Sequence, residues 1–163
     1  MADIFAKIAD IPGESLDVKH KGEIEVLSWS WGITQGAAIA SPGGGGAASG
    51  KPTFEDFHIT HAVDKASPNL LRACATGRHI SEVIVTERKA GPGQQEFLTI
   101  KLSDVLITGV HPSANAAGGS AGLVEGVTLQ CAKVDLEYKP QKADGSLDAG
   151  IHLKYDIKAN KEG

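Results

Sequence analysis

The chain has 163 residues, a net charge of −4 and 22% charged residues, which suits one globular domain with a core of its own. The acidic balance and the lack of clustered Lys and Arg exclude nucleic acid as an expected partner. No apolar run approaches the roughly 20 residues that span a bilayer, so membrane insertion is not expected. The first residues lack the features of a secretory signal, and the sequence therefore predicts synthesis as a cytoplasmic species.

Strand-like segments open the chain. Ile4–Ile8 predicts a short strand that ends at the turn signal Ile11-Pro12-Gly13. A longer strand is predicted over Glu23–Gln35, buried on two sides because both of its faces carry apolar residues. One face has Ile24 and Val26, and the other has Leu27, Trp29, Trp31 and Ile33. The two Trp side chains are predicted to pack in the core or at an interface, and a ligand platform is the less favoured alternative.

Two segments are rich in small residues. Residues 36–52 include the run Gly43, Gly44, Gly45, Gly46 and bury too little apolar area to order themselves, so a long flexible loop is predicted. His111–Gly122 predicts a second loop of similar composition.

One helix is predicted, at about residues 64–77. Ser67 is a suitable N-cap, Pro68 suits the first helical position, and Gly77 suits a left-handed C-cap. The apolar stripe is predicted from Leu70, Leu71, Cys74 and Ala75. A helix of about three turns is not stable alone, so it should dock on the surrounding sheet.

The other predicted strands are Phe54–Val63, Ile80–Arg88, Glu96–Ile107, Leu123–Tyr138 and Ile151–Ile157. The apolar pattern of Leu123–Tyr138 changes phase, and a bulge near Ala132-Lys133 is the economical explanation. In the last strand Ile151, Leu153, Tyr155 and Ile157 should point inward, and Asn160–Gly163 should be a frayed tail. The pattern predicts an antiparallel β-barrel or sandwich with one helix.

Chemical motifs are weak. Gly118-Gly119-Ser120-Ala121-Gly122 matches G-x-S-x-G, but the strand before Ser120 and the helix after it, which a nucleophile elbow requires, are missing. The spacing Gly45, Gly50, Lys51 resembles a phosphate-binding loop, yet Pro52 occupies the Ser/Thr position. The six His residues show no metal-ligand spacing. No catalytic residue, cofactor site or metal site is predicted.

Several motifs together resemble one family. They are Gly13-Glu14-Ser15, His20-Lys21, Ile24–Gly32 with Trp29, Trp31 and Gly32, Asp64–Leu71 with Pro68, Ala73-Cys74, Arg88–Gly91, Val134–Tyr138 and Pro140–Gly145. With these residues the chain resembles the haemolysin-coregulated protein (Hcp) family, the inner-tube proteins of the bacterial type VI secretion system. The match covers essentially the full length, as a single domain over residues 1–163.

The resemblance implies a mainly β protein, an antiparallel two-sheet β-barrel with one flanking α-helix. It implies homohexameric rings that stack into a tube, are propelled by a contractile sheath and are capped by a spike of the valine-glycine-repeat family. Secreted effectors can occupy the ring lumen. The protein would be cytoplasmic before firing and then secreted without a signal peptide, with no enzymatic activity.

The Gly-rich loop at about 36–52 resembles the inter-ring loop of family members, and Gly43–Gly46 are the expected ring-stacking residues. The alternative is a monomeric β-barrel module that binds a small ligand through its Trp-bearing strand. An enzyme that uses Ser120 is the third and weakest reading.

Overall fold

The computed structural model describes residues 2–36, 50–91 and 93–163. Its strands are β1 (Asp3–Ile8), β2 (Ile24–Ser30), β3 (Ile33–Gln35), β4 (Pro52–Phe54), β5 (Phe57–Ala62), β6 (His79–Arg88), β7 (Glu96–Ser113), β8 (Val124–Tyr138), β9 (Ile151–Asp156) and β10 (Lys161–Glu162). One α-helix, α1, covers Ser67–Thr76, and a short 3-10 segment covers Ala116–Gly122.

The main sheet closes into a barrel. Its strands follow the order β8-β5-β2-β1-β6-β7, and β7 also pairs with β8, which joins the two ends. Strands β9 and β10 continue the sheet outward from β8, while β3 and β4 form a separate two-stranded sheet. The predicted fold class, a mainly β antiparallel barrel with one flanking helix, is confirmed. Closure leaves the six barrel strands without free edges.

The barrel interior is a packed core. Alternate residues of each strand point inward, and the fully buried side chains include Phe57, Ile100, Leu102, Val105 and Leu129. Each such side chain contributes roughly 1.5–3 kcal/mol through removal of apolar surface from water. The helix docks on β7, as its short length required.

The helix is shorter than the predicted range 64–77, and it starts one residue before Pro68, the predicted first helical position. Ala66 is the N-cap and makes no side-chain capping bond, so Ser67 is the first helical residue and Pro68 the second. Instead, the Asp64 carboxylate accepts a hydrogen bond from the Ala66 amide at 2.8 Å. The predicted end is confirmed, because Gly77 has φ 62° in the left-handed region.

The predicted apolar stripe of the helix is partly wrong. Leu71 and Ala75 are exposed, whereas Ser67, Leu70 and Ala73 form the buried side and Cys74 is half-buried. The buried residues recur every three positions and therefore lie on one face of the helix.

The predicted strand Glu23–Gln35 is two strands rather than one. Its first part, β2, has a bulge in its pairing with β5 at Leu27, between Val26 and Ser28. The extra residue shifts the alternation, so Trp29 packs against the core on the same side as Val26, and Leu27 faces solvent. The expectation that Leu27 and Trp29 share a face was therefore wrong, as was the expectation of burial on two sides.

The predicted phase change in β8 is present, and β7 changes phase with it. In β8 the buried positions switch from Glu125, Val127 and Leu129 to Ala132 and Val134. In β7 Asp104 has φ 54°, yet Ser103 faces Lys133 and Val105 faces Cys131 in one unbroken register. Both strands thus deviate together, and the one-strand bulge predicted at Ala132-Lys133 is wrong. The register shift between them lies at Ile107/Gly109.

Three smaller expectations need correction. Ile151 is 66% exposed rather than inward-facing. The tail predicted to fray forms β10, in which Lys161 faces Asp156 of β9. The segment predicted as the loop 111–122 contains the end of β7 and the 3-10 segment.

Candidate functional site

The predicted site residues divide into two groups. Gly43–Gly46 lie outside the described residues. The motif Gly13-Glu14-Ser15 is described, and its glycine has a steric reason, because a Cβ on Gly13 would lie 2.5 Å from the Glu23 carbonyl oxygen. Only glycine lets the two chain segments approach so closely.

The rest of the motif fastens the segment between β1 and β2. The Ser15 amide donates to the Glu23 carbonyl at 3.0 Å, and Ser15 accepts from the Asp17 amide through its hydroxyl at 3.2 Å. The Glu14 carboxylate accepts from the Lys65 amide at 3.0 Å, which ties this segment to the start of the helix. These residues have structural roles in the protomer.

The motif positions Asp17 in an ionic cluster around the buried Arg88 side chain. The Arg88 guanidinium is 3% exposed, donates to both carboxylate oxygens of Asp17, and contacts Asp3 at 3.2 Å. The hydrogen bond from Arg88 lowers the pKa of Asp17 to about 2, against the opposing effect of burial. Arg88 also lies 4.8 Å from the centre of the Phe5 ring.

His20 extends this cluster. Its ring stacks on Phe5 with a centroid distance of 4.3 Å. Its Nδ1 lies 2.9 Å from Glu23 Oε2 and its Nε2 lies 2.9 Å from Glu96 Oε1. We call Asp3, Asp17, His20, Glu23, Arg88 and Glu96 the Arg88 cluster. It joins β1, β6, β7 and the segment before β2.

The two Trp residues pack as predicted rather than forming an open platform. Trp29 is half-buried, stacks on Phe57 at 5.5 Å and donates from Nε1 to Glu87 at 3.3 Å. Trp31 lies 6.1 Å from Phe54, measured between ring centres. A Cβ on Gly32 would lie 2.9 Å from the Glu55 carboxylate, the flexible end of a side chain that can shift to make room.

A second buried polar feature is the pair His61–Glu125, on neighbouring strands β5 and β8. Nε2 of His61 lies 2.8 Å from Glu125 Oε1, and the side chains are 1% and 0% exposed. Among the described residues, His61 Nδ1 and Glu125 Oε2 have no hydrogen-bond partner. Nearby, burial raises the pKa of Asp64.

In the described ranges 2–36, 50–91 and 93–163, titratable side chains converge in the Arg88 cluster and in the His61–Glu125 pair, and Ser120 belongs to neither. Ser120 is exposed in the 3-10 segment between β7 and β8. No set of three or more His, Cys, Asp or Glu residues there has the geometry of a metal site. Cys74 and Cys131 are free thiols, and burial raises the pKa of Cys131 to about 11. No helix in this part of the chain has the length and apolarity to cross a membrane.

Within the described residues, two surfaces carry the most exposed of the large apolar side chains apart from Val18. The β1–β2 groove is lined by Ala2–Phe5, Leu16, Asp17, Glu25–Leu27, Ala62 and Arg88. Leu16 and Leu27 are 87% and 61% exposed there, and nearby Val18 is 96% exposed. The β9 extension consists of β9 and β10, together with Tyr138 at the end of β8, which faces Ile151 across the β8–β9 pairing. Both residues of that pair are exposed.

The fold and these surfaces define a class of protein. It is a closed β-barrel whose polar clusters fix its own loops and whose exposed apolar residues lie on its outer walls, as in subunits that assemble. The type VI secretion system effector Hcp family model matches residues 5–138, and the chain belongs to this family.

Individual relatives agree. Protein hcp1 of Pseudomonas aeruginosa is 44% identical over 160 residues, which are 97% of this chain and 96% of that protein. The crystal structure of Hcp1 from Salmonella typhimurium is 39% identical, with a TM-score of 0.80 over 99% of this chain and 98% of that one. A structure described as a type six secretion system protein is 27% identical, with a TM-score of 0.91 and full coverage of both chains.

Proposed function

We propose that this protein is a structural tube subunit of the type VI secretion system. Six copies form a ring, rings stack into a tube, and the tube is exported with effectors held in its lumen. The contractile sheath drives the tube, and a spike of the valine-glycine-repeat family caps it. The subunit is cytoplasmic before firing and reaches the outside without a signal peptide.

The observation that carries this proposal is the family membership, which extends along nearly the whole chain. Exposed apolar side chains support it. Leu16 and Leu27 line the same groove, where water would surround them in a free monomer. The proposal assigns no catalytic role to Ser120.

Ring stacking is assigned to the Gly-rich segment with Gly43, Gly44, Gly45 and Gly46. Glycine permits backbone geometries that other residues avoid and lets backbone pack on backbone. Ordering such a segment opposes association through lost conformational entropy, so stacking in solution should be weak. Deletion of residues 43–49 should leave rings intact and abolish secretion, and unchanged secretion would contradict this assignment.

The test of the main proposal is the solution mass of the purified protein by light scattering, with negative-stain images of the same peak. Rings of six subunits with an open centre are expected. A monomer at all concentrations would overturn the proposal and would favour the alternative function, a monomeric β-barrel that binds a small ligand.

A further inference from the structure

We propose that a pocket between the β3–β4 sheet and strand β8 binds a small organic cation, an ammonium group on a short apolar body. Trp31 and Phe54 line the pocket on the side of the β3–β4 sheet, and Leu129 and Cys131 line it on the side of β8. Its volume is about 250 Å³, below the roughly 300–1,000 Å³ of pockets that hold drug-sized ligands. The occupant therefore has few atoms. This inference goes beyond the proposed tube function and does not depend on the ring.

The walls of the pocket are aromatic and apolar. Trp31 and Phe54 are half-buried, and their ring centres lie 6.1 Å apart with the ring planes inclined by 32°. Tyr155 of β9 packs on Phe54 with a centroid distance of 4.9 Å, which holds the Phe54 ring in place. Leu129 and Ile157 add aliphatic wall. An aromatic face attracts a cation that lies within about 6 Å of the ring centre. The pocket therefore offers both apolar contact and attraction for a positive charge.

A carboxylate is the ionised group of the pocket wall. Among the described residues that line the pocket, Glu55 is acidic and none is Lys, Arg or His. Burial raises the pKa of Cys131 to about 11, so this thiol is uncharged at neutral pH. Glu55 is exposed, and in the described part of the chain no hydrogen bond or ion pair joins its carboxylate to another residue. An unpaired negative charge beside aromatic rings favours a cation over an anion, and over a neutral ligand of the same shape.

A second carboxylate strengthens the negative potential at the pocket. Asp56 accepts hydrogen bonds from Thr108 Oγ1 at 2.8 Å and from Nε2 of Gln130, a residue of the pocket wall, at 3.0 Å. Both donors are neutral, and within the described ranges no cationic side chain pairs with Asp56. Charges of one sign along a cleft with apolar walls concentrate the field there. A bound cation would offset the charge of both carboxylates.

The test uses the full chain labelled with fluorotryptophan, whose two tryptophans give two fluorine resonances. The variant Trp31→Phe assigns them. Choline is the probe, and its uncharged carbon analogue, dimethylbutanol, is the control of nearly equal shape. We expect choline to shift the Trp31 resonance saturably and more than that of Trp29, whose ring stacks on Phe57. The alcohol should bind at least about fivefold more weakly, because it lacks the charge.

Two variants separate the contributions of charge and ring. Glu55→Gln keeps the shape of the side chain and removes its charge, so the dissociation constant of choline should rise about fivefold. Phe54→Leu removes an aromatic face and should weaken choline more than dimethylbutanol. Glu25→Gln, which removes an exposed carboxylate of the β1–β2 groove, is the matched control and should leave the constant unchanged. Far-UV circular dichroism confirms that each variant is folded.

The outcomes are distinct from those that test the tube. Equal affinity for choline and dimethylbutanol would overturn the proposal, as would unchanged choline binding in Glu55→Gln or the absence of a saturable shift at Trp31. The same titration with acetyl-lysinamide identifies the source of the cation. Tighter binding of this compound would assign the pocket to a lysine side chain of a partner, and tighter binding of choline to a free ligand. None of these results depends on oligomeric state, so failure here leaves the proposed function standing.

Discussion

The Arg88 side chain and the His61–Glu125 pair are both buried, but their hydrogen bonds are completed to different degrees. The Arg88 guanidinium contacts the carboxylates of Asp17 and Asp3. The pair has one hydrogen bond, and two of its buried polar atoms lack a partner among the described residues. The first is therefore a network in which the cation has several partners, whereas in the second a single hydrogen bond has to offset the cost of burying two polar side chains.

The Arg88 cluster and the His61–Glu125 pair also connect different parts of the chain. The Arg88 cluster spans 71 residues of chain between Asp17 and Arg88, so it fixes a long connecting segment to the barrel. The His61–Glu125 pair links adjacent strands that backbone hydrogen bonds already join. We therefore expect the fold to depend on the first and to tolerate an apolar replacement of the second.

The largest effect is expected for Arg88→Met, which keeps most of the side-chain volume and removes the charge. Asp17 and Asp3 would then face each other without a cation, and the free energy of unfolding should fall by more than in any of the variants below. Urea unfolding at a fixed subunit concentration measures this, because assembly makes the apparent stability depend on concentration. Lys7→Met on the exposed side of β1 is the control. Equal stability of the two variants would remove the distinction between the clusters.

A double-mutant cycle on the buried pair comes next. His61→Leu leaves the Glu125 carboxylate buried and alone, so a loss of about 2–3 kcal/mol is expected. His61→Leu with Glu125→Leu removes both polar groups and should return stability to within about 1 kcal/mol of the wild type. If the double variant is less stable than His61→Leu alone, the pair is a stabilising element after all.

Acid should destabilise the folded protein in part by protonating Asp17 in the Arg88 cluster. The folded-state pKa of about 2 lies below the ordinary value of 3.8. Its contribution to stability is therefore fully present above about pH 4 and is lost as the pH falls toward 2. Urea midpoints between pH 5 and pH 2 should decline less steeply in Asp17→Asn than in the wild type. Parallel declines would show that the Asp17–Arg88 contact does not stabilise the folded state.

The smallest effect on stability is expected at His79 and Asp104, which form a histidine–carboxylate pair like His61–Glu125 but are exposed. Nδ1 of His79 lies 3.0 Å from Asp104, and the side chains are 69% and 48% exposed. Because water screens this contact, His79→Gln should leave the free energy of unfolding almost unchanged. A loss of stability as large as that of Arg88→Met would mean that burial does not determine how much an ionic contact contributes to stability.

The fold could be predicted from alternation, because residues that repeat every two positions mark most of the strands. The errors came from single residues that alternation does not reveal. The extra residue at Leu27 places Trp29 on the same side as Val26. At Asp104 the backbone takes φ 54°, a conformation that a polar residue adopts at modest cost and that sequence pattern does not announce.

The site was harder to predict, since its contacts are distant in sequence. The motif Gly13-Glu14-Ser15 was identified by resemblance, but its steric reason depends on the approach of Glu23. Arg88 lies in the family motif Arg88–Gly91, but its partner Asp3 is 85 residues away in the sequence. Residue spacing therefore could not identify the Arg88–Asp3 contact. The exposure of Leu16 and Ile151 follows from tertiary packing, which periodicity does not describe.

The shared irregularity of β7 and β8 constrains how this sequence can change. Ser103 faces Lys133 and Val105 faces Cys131, so the residues between them, Asp104 and Ala132, are matched in number. A deletion of Ala132 alone would slide one strand past the other and turn the following side chains to the wrong face. Removal of Asp104 and Ala132 together would preserve the pairing of β7 with β8 but would slip β7 against β6, where Glu82 faces Ser103 and Ile80 faces Val105 in one unbroken register. Insertions and deletions at this place should therefore be selected against, even when they occur in both β7 and β8.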